Sequence, residues 1–205
     1  MSIFQNSPYR TGFILLLILG GTVGCMHQDG MVETEPPLKY VFPETPDDLM
    51  TNFVTAYTTR DAVGYADLLH EDFIFSFQAC DVAKLGLSKD HFTREDEIQT
   101  ARNMFSGRDY HKSNGQVVPA ITEIRFERWE QLEPWHPAEE SAAADVMRIN
   151  MVCRVVLERG RASTIEVAGQ SVFYAVPAVL EVRDAIFREG YKMVGWVDLT
   201  GPCGP

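Results

Sequence analysis

The feature that most constrains this fold is a change in the spacing of apolar residues partway along the chain. In the first part they recur at helical spacing, as Leu49, Phe53 and Tyr57 do. In the second part they alternate with polar residues over 121–132, 146–158, 163–183 and 191–200, which predicts strands. Turns are expected at 158–161 and 188–190, and they are too short for crossover helices. Helices followed by such a meander predict an α+β fold, with one face of an antiparallel sheet packed on the helices.

Local signals place the ends of three helices. Thr45 followed by Pro46 predicts the start of the first, and Asp61 is a candidate cap for a short second helix. The sequence Thr93-Arg-Glu-Asp96 is a capping box that opens a third helix, and Gly107 is expected to end it in a left-handed conformation. A strand is predicted at 73–77, and residues 133–144 are predicted to be an exposed loop.

The amino-terminal segment has the features of an export signal. Residues 13–19 are uninterrupted apolar chain, which is too short to span a bilayer. The next residues, Thr22-Val-Gly-Cys25, resemble the lipobox of bacterial lipoproteins, which implies that the Cys25 thiol carries a diacylglycerol. An uncleaved signal anchor and an ordinary secretory signal remain alternatives, and either would also export the chain.

These features predict three parts: a signal peptide over 1–24, a proline-containing tether over 25–44, and one folded domain over 45–205. Met26 follows Cys25 where an Asp would favour retention in the inner membrane of a Gram-negative cell, so the outer membrane, facing the periplasm, is expected. The net charge of −11 makes nucleic acid and anionic lipid head groups poor partners.

The remaining cysteines and the histidines indicate structural roles. Cys153 falls on the apolar side of a predicted strand, so any disulfide formed in an oxidising compartment is expected to join Cys80 to Cys203. The five histidines are scattered without the close pairing typical of zinc sites, and no metal is expected. No glycine-rich nucleotide motif occurs, so no cofactor is expected either.

One stretch resembles a known superfamily. Residues 49–77, L-M-T-N-F-V-T-A-Y-T-T-R-D-A-V-G-Y-A-D-L-L-H-E-D-F-I-F-S-F, together with Trp196-Val-Asp198 on the last strand, are similar to nuclear transport factor 2-like domains. That superfamily includes SnoaL-like and ketosteroid isomerase-like domains. The resemblance covers about 45–200 and implies a curved sheet wrapped around a helix, forming a cone with a pocket at its open end.

The resemblance also bears on catalysis. An ungapped comparison with ketosteroid isomerase-like domains puts Phe53 at the position of the catalytic tyrosine and Phe77 at that of the base, and neither side chain can transfer a proton. The pocket is therefore expected to be apolar, lined by Phe53, Tyr57, Phe77, Met151, Cys153 and Trp196. Alternative acid and base groups are Tyr57, His70, Asp72 and Asp198.

The leading hypothesis is a non-catalytic lipoprotein, held in the membrane through its lipid, whose pocket binds a small apolar molecule or a protein partner. A small lyase or isomerase is the first alternative. A structural or assembly lipoprotein is the second; it would form a homodimer through an exposed apolar patch around Trp129, Val152 and Trp196.

Overall fold

The computed structural model describes residues 39–85, 87–111, 115, 117–139, 141, 145–160, 163–183 and 185–199. Cys25, Cys203 and the predicted signal peptide lie outside these residues, and so does the tether up to residue 38. Within the described part, the helices are α1 (Pro46–Thr58), α2 (Ala62–Leu68), α3 (Ala79–Leu85) and α4 (Arg94–Phe105). The strands are β1 (Leu69–Phe77), β2 (His91–Thr93), β3 (Tyr110–His111), β4 (Val117–Val118), β5 (Glu123–Gln131), β6 (His136–Pro137), β7 (Met147–Arg159), β8 (Ser163–Arg183) and β9 (Ile186–Leu199).

Seven strands form one sheet in the order β2-β1-β9-β8-β7-β5, with β6 added against β7. Every pairing in it is antiparallel except that of β1 with β9, which is parallel. Register shifts in β1, β5 and β8 mark irregularities, which bend strands and help the sheet to curve. The predicted α+β class, with a large curved open sheet packed against helices, is confirmed.

The predicted helix ends are confirmed in atomic detail. Thr45 and Thr93 each accept a hydrogen bond from the backbone of the third helical residue, whose side chain bonds back to the cap. Asp61 caps α2 by accepting from two backbone N–H groups. Gly107 follows α4 with φ of 64°, the left-handed conformation that glycine adopts without steric cost.

The hairpin between β8 and β9 turns at a different place from the predicted one. Residues 188–190 lie inside β9, where Gly190 pairs with Ala178, and the turn falls near Ala185 instead. Gly190 serves close packing, because a Cβ atom there would lie 2.9 Å from the carbonyl oxygen of Pro43. The prediction of a turn at 188–190 was therefore wrong, since the glycine accommodates a neighbouring segment of chain.

That neighbouring segment is residues 39–44, which the sequence placed in the tether. Tyr40 donates its hydroxyl to the Asp61 carboxylate at 2.9 Å, and Lys39 contacts the same carboxylate. The backbone of Val41 is bonded through both its N–H and its C=O to the Asn52 side chain. Tyr191 donates its backbone N–H to Pro43 at 2.9 Å. Residues 39–44 are thus fastened to α1, α2 and β9 before the first helix begins.

An aromatic cluster lies between the helices and the sheet. Phe53 of α1 is 1% exposed, and its ring stacks on Trp129 with centroids 5.5 Å apart. Further rings surround it edge-on or tilted: Tyr57, Tyr65, Phe126, Phe173 and Trp196.

None of the helices in the described part of the chain is both long and apolar enough to cross a membrane.

Candidate functional site

A cavity of about 240 Å³ opens between α1, α4 and the concave side of the sheet. Aromatic side chains are the largest group in its wall: Phe53, Tyr57, Phe75, Phe77, Phe92, Phe126, Trp129 and Trp196. These residues come together because α1 and α4 present their apolar faces to one side of the sheet, the side to which alternate residues such as Phe75 and Phe77 of β1 point. In β5 the register shift between Phe126 and Arg128 brings Phe126 and Trp129 to that same side. The result is an apolar hollow beside the aromatic cluster.

One side of this hollow is polar. Glu97 of α4 lines the cavity although it is only 5% exposed, and its carboxylate accepts a hydrogen bond of 2.8 Å from the Tyr65 hydroxyl. The Tyr57 ring packs edge-on against the Tyr65 ring, with centroids 5.2 Å apart. Because a hydroxyl group has one proton, Tyr65 uses it as the donor to Glu97. The three side chains form a buried chain of polar groups, which we call the Glu97 relay.

Burial controls the charge of the Glu97 relay. Desolvation raises the pKa of Glu97, and the hydrogen bond from Tyr65 opposes that rise only in part. Burial also raises the pKa of Tyr57 well above its ordinary value, and the negative charge of Glu97 raises it further. Both tyrosines therefore stay protonated at neutral pH, and the relay presents hydrogen-bond donors beside a carboxyl group with an elevated proton affinity.

A second polar group lies on the sheet side of the cavity. Cys153 of β7 and Ser171 of β8 are 3.9 Å apart, between Sγ and Oγ, and both line the cavity together with Asp198 of β9. Burial raises the pKa of the Cys153 thiol, and the negative charge of Asp198 acts in the same direction. A protonated thiol is a poor nucleophile, so this cysteine lacks the activation that covalent catalysis requires.

Most of the predicted pocket residues lie together. Phe53, Tyr57, Phe77, Cys153 and Trp196 all line the cavity. Met151 does not. It is 1% exposed and lies under the first turns of α1, where it borders a separate shallow depression beside Trp129. The indole ring of Trp129 lines both hollows, so it stands at the boundary between them.

The alternative acid and base groups are divided between two places. Tyr57 and Asp198 line the cavity, whereas His70 and Asp72 do not. His70 Nδ1 lies 3.6 Å from Asp72, whose side chain is exposed, at the start of β1. His70, Glu71 and Asp72 have possible metal-ligand atoms within 4.8 Å of one another, but Glu71 and Asp72 are exposed to solvent. The arrangement is typical of a solvated acidic surface.

Sequence reasoning missed Glu97, although a signal for it existed. Residues 97, 101 and 105 follow one another at intervals of one helical turn, and Ala101 and Phe105 are buried. An acidic residue in register with a buried apolar face is rarely left uncompensated, because burying a carboxylate is costly. The partner, Tyr65, is far away in sequence and could not be assigned from spacing.

The structure tests part of the predicted disulfide pairing. Cys80 is disulfide-bonded, whereas Cys153 is a free cysteine. The bond to Cys203 stays a prediction, because Cys203 lies outside the described residues.

The predicted dimer patch has a different outcome. Trp129 and Trp196 point into the aromatic cluster instead of forming a patch on the outer face with Val152. That placement of the patch was wrong, since both indoles are needed to cover α1.

Comparison with known proteins gives structural neighbours only. The sequence matches no protein-family model and no curated protein. An NTF2-like protein from Cytophaga hutchinsonii is similar at 14% identity, and the similarity covers 74% of this chain and 92% of that chain, with a TM-score of 0.43. An NTF2-like protein of unknown function in nutrient uptake from Rhodospirillum rubrum is 13% identical over 75% and 96% of the two chains, with a TM-score of 0.44.

A domain of unknown function with a cystatin-like fold from Nostoc punctiforme is similar at 13% identity, over 73% of this chain and 70% of that one, with a TM-score of 0.43. These structural neighbours are thus NTF2-like and cystatin-like proteins, the kind of fold that the resemblance implied. Similarities at this level say nothing about activity.

Proposed function

We propose that this protein is a lipid-anchored binding domain whose cavity takes one small, mainly apolar molecule. The observation that carries the proposal is the combination of an aromatic wall with the buried Glu97 relay at one side. Small-molecule sites are commonly concave and apolar, with a few polar groups that orient the ligand. The cavity lined by Phe53 and Trp196 has this composition.

The size of the cavity limits the ligand. An apolar protein cavity of about 150 Å³ holds benzene. The volume here is about 240 Å³, so a molecule of one or two fused rings fits and a sterol-sized molecule does not. The ligand is expected to be uncharged in its ring portion, because the aromatic wall offers no counter-charge there.

Polar contacts would fix the orientation of such a ligand. The indole N–H of Trp196 is buried and finds no acceptor among the residues described in the structure. A buried donor without a partner is costly, and a ligand oxygen that accepts from it would relieve that cost. Ser171 and Asp198 line the same cavity, and their oxygens can accept a hydrogen bond from a ligand hydroxyl group. A ring compound with one hydroxyl group, which can both accept and donate, satisfies both requirements.

Ligand binding is testable with naphthalene, 2-naphthol and indole as probes. A probe that binds only the folded state, present at about one hundred times its Kd, stabilises by about 2.7 kcal/mol, which raises Tm by roughly 5–10 °C in a chain of this size. The second readout is Cys153, whose thiol lines the cavity and which a bound probe would shield from methyl methanethiosulfonate. We expect 2-naphthol to give the larger shift of the three.

Two variants on adjacent residues control this test. Val167 lines the cavity, and Val167→Trp is expected to fill it and weaken probe binding by at least about tenfold, a loss of 1.4 kcal/mol or more. Ala168 follows it on the exposed side of β8, so Ala168→Trp adds the same ring outside and should bind normally. Equal binding by the two variants, or no thermal shift with any probe, would rule out this cavity as a ligand site.

The anchor is part of the same proposal and rests on the sequence alone. The apolar run at 13–19 and the lipobox-like residues before Cys25 support acylation of that cysteine and a location at the periplasmic face of the outer membrane. The mass of the mature protein's first peptide decides this point, because diacylglycerol and an amide-linked acyl chain add a defined mass to Cys25. An unmodified peptide that still begins before Cys25 would contradict it.

The Glu97 relay also favours a second candidate, a small enzyme that transfers a proton. Tyr57 feels the negative charges of both Glu97 and Asp198, and all three line one cavity. A carboxyl group with a raised pKa is suited to acid-base catalysis near neutral pH. Exchange of α-protons of cyclohexanone in D2O, followed by NMR, distinguishes the two: an enzyme accelerates exchange and Glu97→Gln abolishes the acceleration, whereas a binding protein leaves exchange at the buffer rate.

A further inference from the structure

A second, smaller hollow lies next to the ligand cavity. Its volume is about 170 Å³, and it is bordered by the last turn of α4, the short pair β3–β4 and the end of β7. Leu157 lines the cavity, and Arg159 lines the second hollow from the same side of β7, about 7 Å further along the strand. Met104 of α4 lines both. The two hollows therefore adjoin at Met104, whose unbranched side chain can shift to join them.

The second hollow carries unpaired positive charge. Arg108, just after α4, and Arg159 both line it, and neither guanidinium group has an ion pair or a hydrogen bond within the part of the chain that the structure describes. A third guanidinium group is close, because Arg60 donates at 2.8 Å to the backbone carbonyl of Ile121, another residue of the wall. No acidic residue is among the described residues that line this hollow. Its potential is therefore positive in a chain that is acidic as a whole.

The acids next to these two arginines in the sequence bind other groups. Asp109 accepts from the backbone N–H of Ala120 at 2.9 Å. Glu158 accepts from Arg125 and from the Thr164 hydroxyl. Glutamate partners are found for four other arginines of the described chain: Arg125, Arg128, Arg154 and Arg188. The second hollow thus keeps two cations available although acids are abundant on the surface.

Arg159 has a specific unmet requirement. Its Nε–H group is buried and finds no acceptor among the described residues. A buried donor without an acceptor is costly. A carboxylate removes that cost, because its two oxygens accept at once from Nε–H and from a terminal N–H of the same guanidinium group. The negative end of the α4 dipole lies at the same helix end and disfavours an anion, so the charge of Arg108 is expected to be needed as well.

We propose that the ligand of the cavity carries a carboxylate group, which Arg159 and Arg108 bind in this second hollow. The proposal rests on the binding function proposed above and names the class of ligand, an ionised aromatic carboxylic acid. Its ring portion occupies the cavity, where the acidic side chains of Glu97 and Asp198 disfavour a carboxylate. The two ends of the ligand are thereby distinguished, with the carboxylate directed toward Arg159 and away from these acids.

Two probes that differ in charge test this ligand class. The carboxylate probe is 6-hydroxy-2-naphthoate, and its neutral counterpart is 6-hydroxy-2-naphthamide, which has the same rings, the same hydroxyl group and a terminal group of similar size. Titration calorimetry on the full chain gives the ratio of their dissociation constants. Because hydrogen bonds between charged groups are the stronger ones, we expect the carboxylate to bind on the order of tenfold more tightly. Added salt should reduce this preference, since Arg108 is exposed.

Arginine variants locate the preference. Arg159→Met removes the charge and the donors but keeps a long unbranched side chain, and it is expected to bring the ratio down to about one. Arg108→Met is expected to reduce the ratio in part, and it serves if Arg159→Met does not fold. Arg102→Met is the matched control. Arg102 is exposed on α4 and lines neither hollow, so this variant should keep the full preference.

Three results would overturn the carboxylate site. They are equal binding of the two probes by the unaltered chain, an unchanged preference in both Arg159→Met and Arg108→Met, and an equal loss of preference in Arg102→Met, which would show only a general effect of charge. Failure of the binding function itself is recognised separately, because 2-naphthol and the amide then fail to bind along with the carboxylate, and both proposals fall. If the neutral probes bind and the carboxylate has no advantage, only the carboxylate site is ruled out.

Discussion

Replacing Phe53 by Ala is expected to lower the free energy of unfolding by about 3–5 kcal/mol. The phenyl ring is 1% exposed and lies within 4.6 to 6.2 Å, between centroids, of every ring in the aromatic cluster around it. Its removal takes away apolar burial and the stacking on Trp129, and it leaves a hole that the close-packed surroundings can fill only in part. Chemical denaturation monitored by tryptophan fluorescence measures the loss.

A phenylalanine elsewhere in the chain is the control for this substitution. Phe187 of β9 is 61% exposed, so Phe187→Ala removes the same atoms from a side chain that has little to lose. We expect its effect on the free energy of unfolding to stay within about 0.5 kcal/mol. Comparable losses for the two variants would show that the aromatic cluster is not the centre of the core.

Replacing Tyr65 by Phe is expected to cost about 1–3 kcal/mol and to make stability depend more strongly on pH. The substitution keeps the ring but removes the hydroxyl that donates to Glu97 at 2.8 Å. Because that hydrogen bond lowers the pKa of Glu97, its loss raises the pKa in the folded state further. The cost should appear chiefly when Glu97 is ionised.

The direction of the pH effect follows from proton linkage. The pKa of Glu97 is raised in the folded protein above its ordinary value of 4.5, so the folded state holds this proton to higher pH than the unfolded state. Its contribution to stability is therefore fully present below pH 4.5 and is lost as pH rises through the folded-state pKa. Tyr65→Phe raises the folded-state pKa of Glu97, so stability goes on falling up to a higher pH. The loss in the free energy of unfolding caused by this substitution is therefore expected to be larger at pH 8 than at pH 4.

Glu97→Gln is the matched variant for this experiment. The amide keeps the size of the side chain and cannot ionise, so the Tyr65→Phe, Glu97→Gln double variant should lose the part of the pH dependence that Glu97 supplies. Guanidinium unfolding at several pH values measures it. A Tyr65→Phe cost that is the same at acid and alkaline pH would contradict a carboxylate held by this tyrosine.

Part of the candidate site could be predicted from the sequence, but the Glu97 relay could not. The aromatic lining was predictable because Phe53, Phe77 and Trp196 each belong to an apolar stripe or strand that had to face inward. Asp198 was also recognised through its neighbour Trp196. Glu97 was not, because its significance depends on Tyr65, with which it makes contact only after α2 and α4 are packed together.

The sequence by itself determined the features that depend on neighbouring residues. Helix starts at Thr45 and Thr93 follow from bonds closed within three residues, and the alternation along β7 and β8 follows from the pleat of each strand. Only the tertiary structure decided what distant segments do together: β1 runs parallel to β9, Gly190 makes room for Pro43, and Glu97 meets Tyr65. Such contacts depend on how the whole chain packs, and they do not follow from the spacing of residues along the sequence.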